Sequence, residues 1–142
     1  MAGVMFSFYN FSSLIDLNIG ISDRLDENRF ESFTILFCDF TGISQPIVEA
    51  NMQSLLRTSD SIVHCEHYYF FVMPYTDRYG CGIVKKMVED LFERTIPSAA
   101  VCYPSNGENG PELLEALHAE AKKSLGTDLD CLYSVANKEP QL

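Results

Sequence analysis

Three short stretches of this sequence bring together side chains able to do chemistry. Asp39 closes a continuous apolar run, Ser32 to Phe40, and is followed by Thr41-Gly42. A carboxylate at a strand end is a hard oxygen ligand for a divalent cation, or simply the residue that caps the turn. Arg57-Thr58-Ser59-Asp60 sets a forked donor three residues before an acceptor. Such a pair can grip a phosphate or a guanine edge, and it can equally close a helix and cap the next turn. His64-Cys65-Glu66-His67 concentrates transition-metal ligands. With Cys65 and Glu66 as the turn, His64 and His67 face each other across a hairpin and a third ligand comes from between them; the plainer alternative is a polar hairpin tip. Cys65 beside a histidine also has the elements of a nucleophile and base, but no orienting acid or oxyanion hole accompanies it.

The elements that must position these groups are legible from apolar periodicity. Ser32 to Phe40 is too short for a helix and rich in β-formers, which predicts a buried central strand. Pro46 suits a first helical turn, and Ile47, Ala50, Met52, Leu55 and Leu56 give the segment to about Arg57 an apolar face. Ile62-Val63 and Tyr68 to Met73 flank the histidine tetrapeptide as two strands of a hairpin. From Thr76 or Asp77 as N-cap to Arg94, Ile83, Met87 and Leu91 form one row and Val84, Val88 and Phe92 the adjoining row, the broad apolar face of a packed helix. Ile96 to Tyr103 predicts a strand, Pro111 opens a helix carrying Leu113, Leu114, Leu117 and Ala121 to a stop at Gly126, and Leu129 to Val135 predicts a last strand before the polar tail 136–142. Leu14 to Phe30 has room for a helix, with Gly20 and the Asn and Asp content weighing against it. Strands alternating with helices around one hairpin predict an α/β (α+β) fold: a palm-like or ferredoxin-like, mainly antiparallel sheet with helices packed on it.

The chain has 142 residues, 46% hydrophobic and 21% charged, which fits one globular domain over residues 1–142 with its core at about 33–134. Ten Lys and Arg against 20 Asp and Glu leave a formal charge of −10. Such a surface repels polyphosphate and anionic lipid, so neither nucleic acid nor membrane is the expected partner. The pairs Lys85-Lys86 and Lys122-Lys123 read as cations solvating helices. Five cysteines, Cys38, Cys65, Cys81, Cys102 and Cys131, are odd in number, lack a CxxC and sit mostly in apolar runs, which predicts buried thiols in a reducing, cytoplasmic compartment. The N-terminal apolar stretch has no positive segment before it and is broken by Asn10, Ser12, Ser13 and Asp16, so neither an export signal nor a membrane helix is expected.

The order of elements, with particular residues on it, resembles the GGDEF domain of diguanylate cyclases over roughly residues 33 to 134. The likeness is carried by Leu36-Phe37-Cys38-Asp39, by Leu55-Leu56-Arg57-Thr58-Ser59-Asp60, by Phe70-Phe71-Val72-Met73-Pro74 with Thr76-Asp77, by Pro97 to Val101 with Tyr103-Pro104 and Gly107, and by Glu112-Leu113-Leu114 with Ala121-Lys122. Phe33 to Gly42 is also similar to the metal-binding strand of class III adenylyl cyclases, a group with a related palm-like core.

The resemblance implies a site that joins two GTP molecules into cyclic di-GMP, using two Mg²⁺ ions held by carboxylates and a Gly-Gly turn that admits the nucleotide. Five residues beyond Asp60 the signature falls on Glu66-His67-Tyr68-Tyr69-Phe70. Both glycines and both acids are replaced, and only Phe70 fits. Asp39 matches the first metal carboxylate, but Thr41 stands where a second acid is expected, leaving a vestigial metal position. Arg57 and Asp60 match the RxxD at which active cyclases bind their product, cyclic di-GMP. These residues predict a non-enzymatic signalling or regulatory module, without metal or cofactor, acting through a protein partner or self-association, with a cyclic di-GMP receptor and a divergent nucleotidyl cyclase as the alternatives. Tyr68 or Tyr69 at the former active-site edge, or Phe6, Tyr9 and Phe11 near the start, could supply a contact surface, although core packing is the commoner use of such side chains.

Overall fold

A computed structural model describes residues 3–25 and 31–136. β2 (Glu31–Asp39) runs through the interior of the sheet, and its alternate residues serve opposite faces. Phe33, Ile35 and Phe37 enter one core cluster and Leu36 and Cys38 the other. This double burial is why the segment reads as an unbroken apolar run. β4 (Tyr68–Pro74) lies antiparallel along one side of β2, with Phe37 opposite Phe70 and Asp39 opposite Tyr68, and β5 (Ser98–Pro104) lies antiparallel along the other. β3 (Ser61–Cys65) pairs with β4, and the short β1 (Val4–Met5), which no sequence signal announced, adds parallel to β3. The result is an open, mostly antiparallel sheet of five strands in the order β1-β3-β4-β2-β5.

Helices cover both faces. α2 (Gln45–Leu55) and α3 (Arg78–Phe92) bury Val48, Met52, Cys81 and Val88 in a cluster with Leu36, Phe71 and Met73. α1 (Phe11–Leu25), α4 (Gly110–Leu125) and α5 (Cys131–Ala136) bury Phe11, Ile15, Leu113, Leu117 and Leu132 with Phe33, Ile35 and Phe70. Each such side chain contributes about 1.5–3 kcal/mol over leaving it exposed. The run β2-α2-β3-β4-α3-β5 has the split β-α-β connectivity, so the mixed α/β class with a mainly antiparallel sheet is present as expected. Local signals set the helix limits: the Asp77 carboxylate accepts from Gly80 N at 2.8 Å to start α3, and Gly126, at φ 68°, stops α4 by turning its N–H back to Lys122 O.

Five expectations need correction. Leu129 to Val135 is not a strand; Leu129 and Leu132, three apart, both face the core, and Leu132 N and Tyr133 N close turns onto Leu129 O and Asp130 O, so the segment coils into α5. The turn of the β3–β4 hairpin is Glu66-His67, with Cys65 opposite Tyr68 and His64 opposite Tyr69, so His64 and His67 do not face each other. Only part of the α3 apolar face packs: Val88 is buried, whereas Ile83, Met87 and Leu91 are 47%, 44% and 43% exposed. The strand expected from Ile96 starts at Ser98, with Ile96 buried just before it. α1 begins at Phe11, earlier than the Leu14 to Phe30 window; residues 26–30, and 137–142 of the polar tail, lie outside the described residues. No helix among the described residues is long and apolar enough to cross a membrane.

Candidate functional site

Asp39 ends β2 beside the β3–β4 hairpin. Its Oδ1 accepts from Thr41 N at 3.0 Å and from Thr41 Oγ1 at 2.5 Å, and Gly42 turns the chain away at φ 94°. Thr41, standing where a second acid was expected, thus consumes one oxygen of the first. Among the described residues Asp39 has no two further His, Cys, Asp or Glu ligand atoms near enough to enclose an ion with it.

The hairpin tip closes the other side. Glu66 holds φ 56°, a left-handed conformation that a glycine adopts without a Cβ penalty. Its carbonyl accepts from Gln45 Nε2 at 3.2 Å and lies 3.1 Å from His64 Nδ1, while His67 O accepts from Phe40 N at 3.0 Å. Thr41, Glu66, His67 and Tyr68 line a cavity of about 200 Å³. This is below the roughly 300 Å³ at which pockets for small organic ligands begin.

The adjacent tyrosines of β4, Tyr68 and Tyr69, part company. Tyr69 is fully buried on the α2 and α3 side, stacked on His64 at 4.7 Å and edge-on to Phe40 at 5.4 Å. Its hydroxyl donates to Glu49 Oε2 at 3.4 Å, and burial, reinforced by the Glu49 charge, pushes its pKa up to about 12. Glu49 Oε2 also lies 3.5 Å from His64 Nε2, so an α2 carboxylate, a β3 imidazole and a β4 phenol form one cluster. Tyr68 points to the other face, half-buried and edge-on to Phe37; burial and then the charge of Asp39 raise its pKa. Phe70 is buried against Phe8, Phe11 and Phe37. The contact surface weighed for the N-terminal aromatics is therefore reduced: Phe11 is core, and Tyr9 is 74% exposed.

Arg57 and Asp60 lie at the far end of β3 from the hairpin. Asp60 is 2% exposed and accepts from Arg57 N, Nε and Nη2 at 2.8, 3.2 and 2.7 Å. Nη2 also donates to Pro74 O at 2.8 Å and to Thr76 Oγ1 at 3.0 Å, and the bond to Asp60 holds the guanidinium pKa above its ordinary value. Arg57 and Asp60 border a cavity of about 380 Å³ between α2 and α3, whose walls include Leu55, Met73, Ile83 and Met87.

A further cluster joins α4 to α5. His118 Nε2 and Asp128 Oδ1 are 2.8 Å apart, Lys122 Nζ lies 3.7 Å from Asp128 Oδ2, and one ligand atom each of His118, Asp128 and Asp130 falls within 4.8 Å of the others. The His118 bond lowers the Asp128 pKa, and the bond to Asp128 raises that of Asp130. Nothing near His118 in the sequence links it to Asp128, which reaches it only through the turn at Gly126. Glu49 likewise carried no signal, and Thr76, expected as an N-cap, gave no sign of its bond to Arg57, because these roles arise from helix and strand ends meeting across the sheet.

Burial pushes up the thiol pKa values of Cys38, Cys81, Cys102 and Cys131; Cys65 and Cys131 are half-buried beside each other at the hairpin and the start of α5. No family model and no curated protein matches this sequence.

Proposed function

We propose that this chain is a GGDEF-like module without cyclase activity, serving a cytoplasmic signalling role by binding protein, itself included. The observation that carries the reading is the hairpin facing Asp39. Its turn bears Glu66 and His67 where the nucleotide needs glycines, and of the two signature acids one is a tyrosine in the core and the other a tyrosine packed on Phe37. Two-metal phosphoryl transfer needs several carboxylates converging on one spot, and Asp39 stands there with Thr41 on its Oδ1. The β-α-β-β-α-β connectivity, with the strand-end Asp39 beside the hairpin tip, is compatible with a GGDEF-type domain.

A second reading, reception of cyclic di-GMP at Arg57 and Asp60, draws on the cavity of about 380 Å³ beside them and on a guanidinium whose side chain is 52% exposed. Against it, both Nε and Nη2 are already committed within the chain.

The test is incubation with GTP and Mg²⁺ and calorimetric titration with cyclic di-GMP. No product and no heat support the protein-binding reading. Heat that disappears in Arg57→Lys transfers the function to the receptor reading, because lysine keeps the charge and loses the fork. Turnover of GTP overturns both.

A further inference from the structure

α3 carries apolar residues over more of its circumference than the sheet covers. Single exposed hydrophobics are ordinary, but Ile83, Met87 and Leu91 recur every fourth residue and form a continuous exposed stripe. It widens across the helix gap, since Leu55 of α2 lines the same cavity as Ile83 and Met87. The one charged residue of α2, Glu49, is taken up by His64 and Tyr69, so the outward residues Pro46, Ile47, Ala50 and Ser54 bear no charge.

Charge selects what can cover this face. The chain carries −10, and two copies repel each other wherever acidic surfaces meet. α2 and α3 together are neutral, with Arg78, Lys85 and Lys86 balancing Glu49, Glu89 and Asp90. Beside Met87 stand Lys86 and Asp90, exposed and opposite in sign, and among the described residues neither has a partner. Lys before Asp at this spacing is the weaker order for a pair within one helix. Two α3 helices crossing antiparallel on a two-fold axis at Met87 bring Ile83 of one copy opposite Leu91 of the other. At 1.5 Å rise per residue, Lys86 of each copy then lies about 3 Å along the axis from Asp90 of its mate. The pair forms twice, as an isologous contact requires.

We infer that the α3 stripe is the surface through which two copies of this chain associate. The inference rests on the reading of the chain as a protein-binding module and names its partner as itself. Light scattering and sedimentation equilibrium on the full chain test it. The wild type is expected to weigh twice one chain at micromolar concentration. Met87→Glu, which sets two carboxylates against each other on the axis, is expected to weaken association more than about 100-fold. Lys86→Asp and Asp90→Lys are each expected to weaken it about 10-fold, and the double exchange to recover most of that loss, which simple misfolding would not do. A monomeric wild type, or a dimer indifferent to Met87→Glu and to the charge exchanges, overturns the inference. If GTP and cyclic di-GMP are both ignored, either result leaves the protein-binding reading standing. Turnover of GTP by a dimer with the expected sensitivities removes that reading and keeps the interface.

Discussion

The guanidinium of Arg57 closes onto the carboxylate of Asp60, with Nη2 2.7 Å from Oδ1 and Nε 3.2 Å from Oδ2. The same Nη2 reaches Pro74 O and Thr76 Oγ1, so one side chain fastens the α2 to β3 connection to the end of β4. Asp60 is buried and Arg57 half-exposed, which makes the arginine the solvent-facing half of a structural staple. Any anionic ligand has to share that fork with an acceptor already seated in it.

Arg57→Ala is therefore expected to cost stability with no ligand present. It leaves the Asp60 carboxylate buried with the backbone N–H of residue 57 as its remaining donor from that residue. Because solvent screens the exposed arginine, the loss is expected at about 2 kcal/mol, below the 3–5 kcal/mol of a fully buried pair. Urea denaturation reads it as a lower midpoint at unchanged slope. An unchanged midpoint would show that the staple contributes nothing.

Placing an acid at Tyr69 is expected to damage the fold. Tyr69→Glu places a carboxylate in the core beside Glu49, where burial and like charge both oppose ionisation, and about 3 kcal/mol or more of stability is lost. Tyr69→Phe removes one long hydrogen bond and is expected to cost less than about 1 kcal/mol. Thermal melts of the two variants distinguish these costs; equal melting temperatures would contradict the buried setting of Tyr69.

Glu66→Gly acts in the opposite direction. Glu66 occupies left-handed backbone at φ 56°, and relief of that strain, offset in part by the freer unfolded chain, is expected to raise stability by up to about 1 kcal/mol. Under the proposed non-cyclase reading no GTP turnover is expected of this variant, since a glycine adds no carboxylate beside Asp39. Destabilisation by more than about 0.5 kcal/mol would mean that the Glu66 side chain holds the hairpin.

The fold was legible where one physical signal dominated. β2 and β4 announced themselves because burial on both faces keeps their runs apolar but for Ser32 and Thr34, and α4 because Pro111 and Gly126 bracket a clear apolar row. α5 was misread because Leu129, Leu132 and Val135 suit a short strand as well as a helix, and only packing of Leu129 and Leu132 on one core decides between them. Ile83, Met87 and Leu91 misled in another way: periodicity shows that a stripe exists, not whether the molecule itself covers it. At the candidate site the residue types from Glu66 to Phe70 were plain in the letters. That Thr41 takes the Asp39 carboxylate, and that Arg57 is held by Asp60, depended on distances no spacing encodes.

Stability is expected to fall on the alkaline side, for reasons that lie in the core. Cys81 is pushed up to about 12 by burial, then by the charge of Cys102, and Tyr103 to about 12 by burial and its bond to Asp23. Tyr69 is raised to about 12 as well, by burial and then Glu49. In the unfolded chain these groups ionise at their ordinary values, 9.0 for the thiol and 10.0 for the phenols. Between those values and about 12 the folded protein keeps protons that the unfolded chain has released, so each rise in pH favours unfolding. The contribution is fully present below the unfolded values and is lost progressively as pH climbs toward the folded ones. Melting temperature is thus expected to decline steadily from about pH 9 upward, and Cys81→Ala, although less stable at neutral pH, is expected to show a shallower decline because its thiol no longer titrates. Melts followed by circular dichroism from about pH 8 to about pH 11 measure the slope. Parallel curves for wild type and Cys81→Ala would mean that this thiol does not keep its proton through folding.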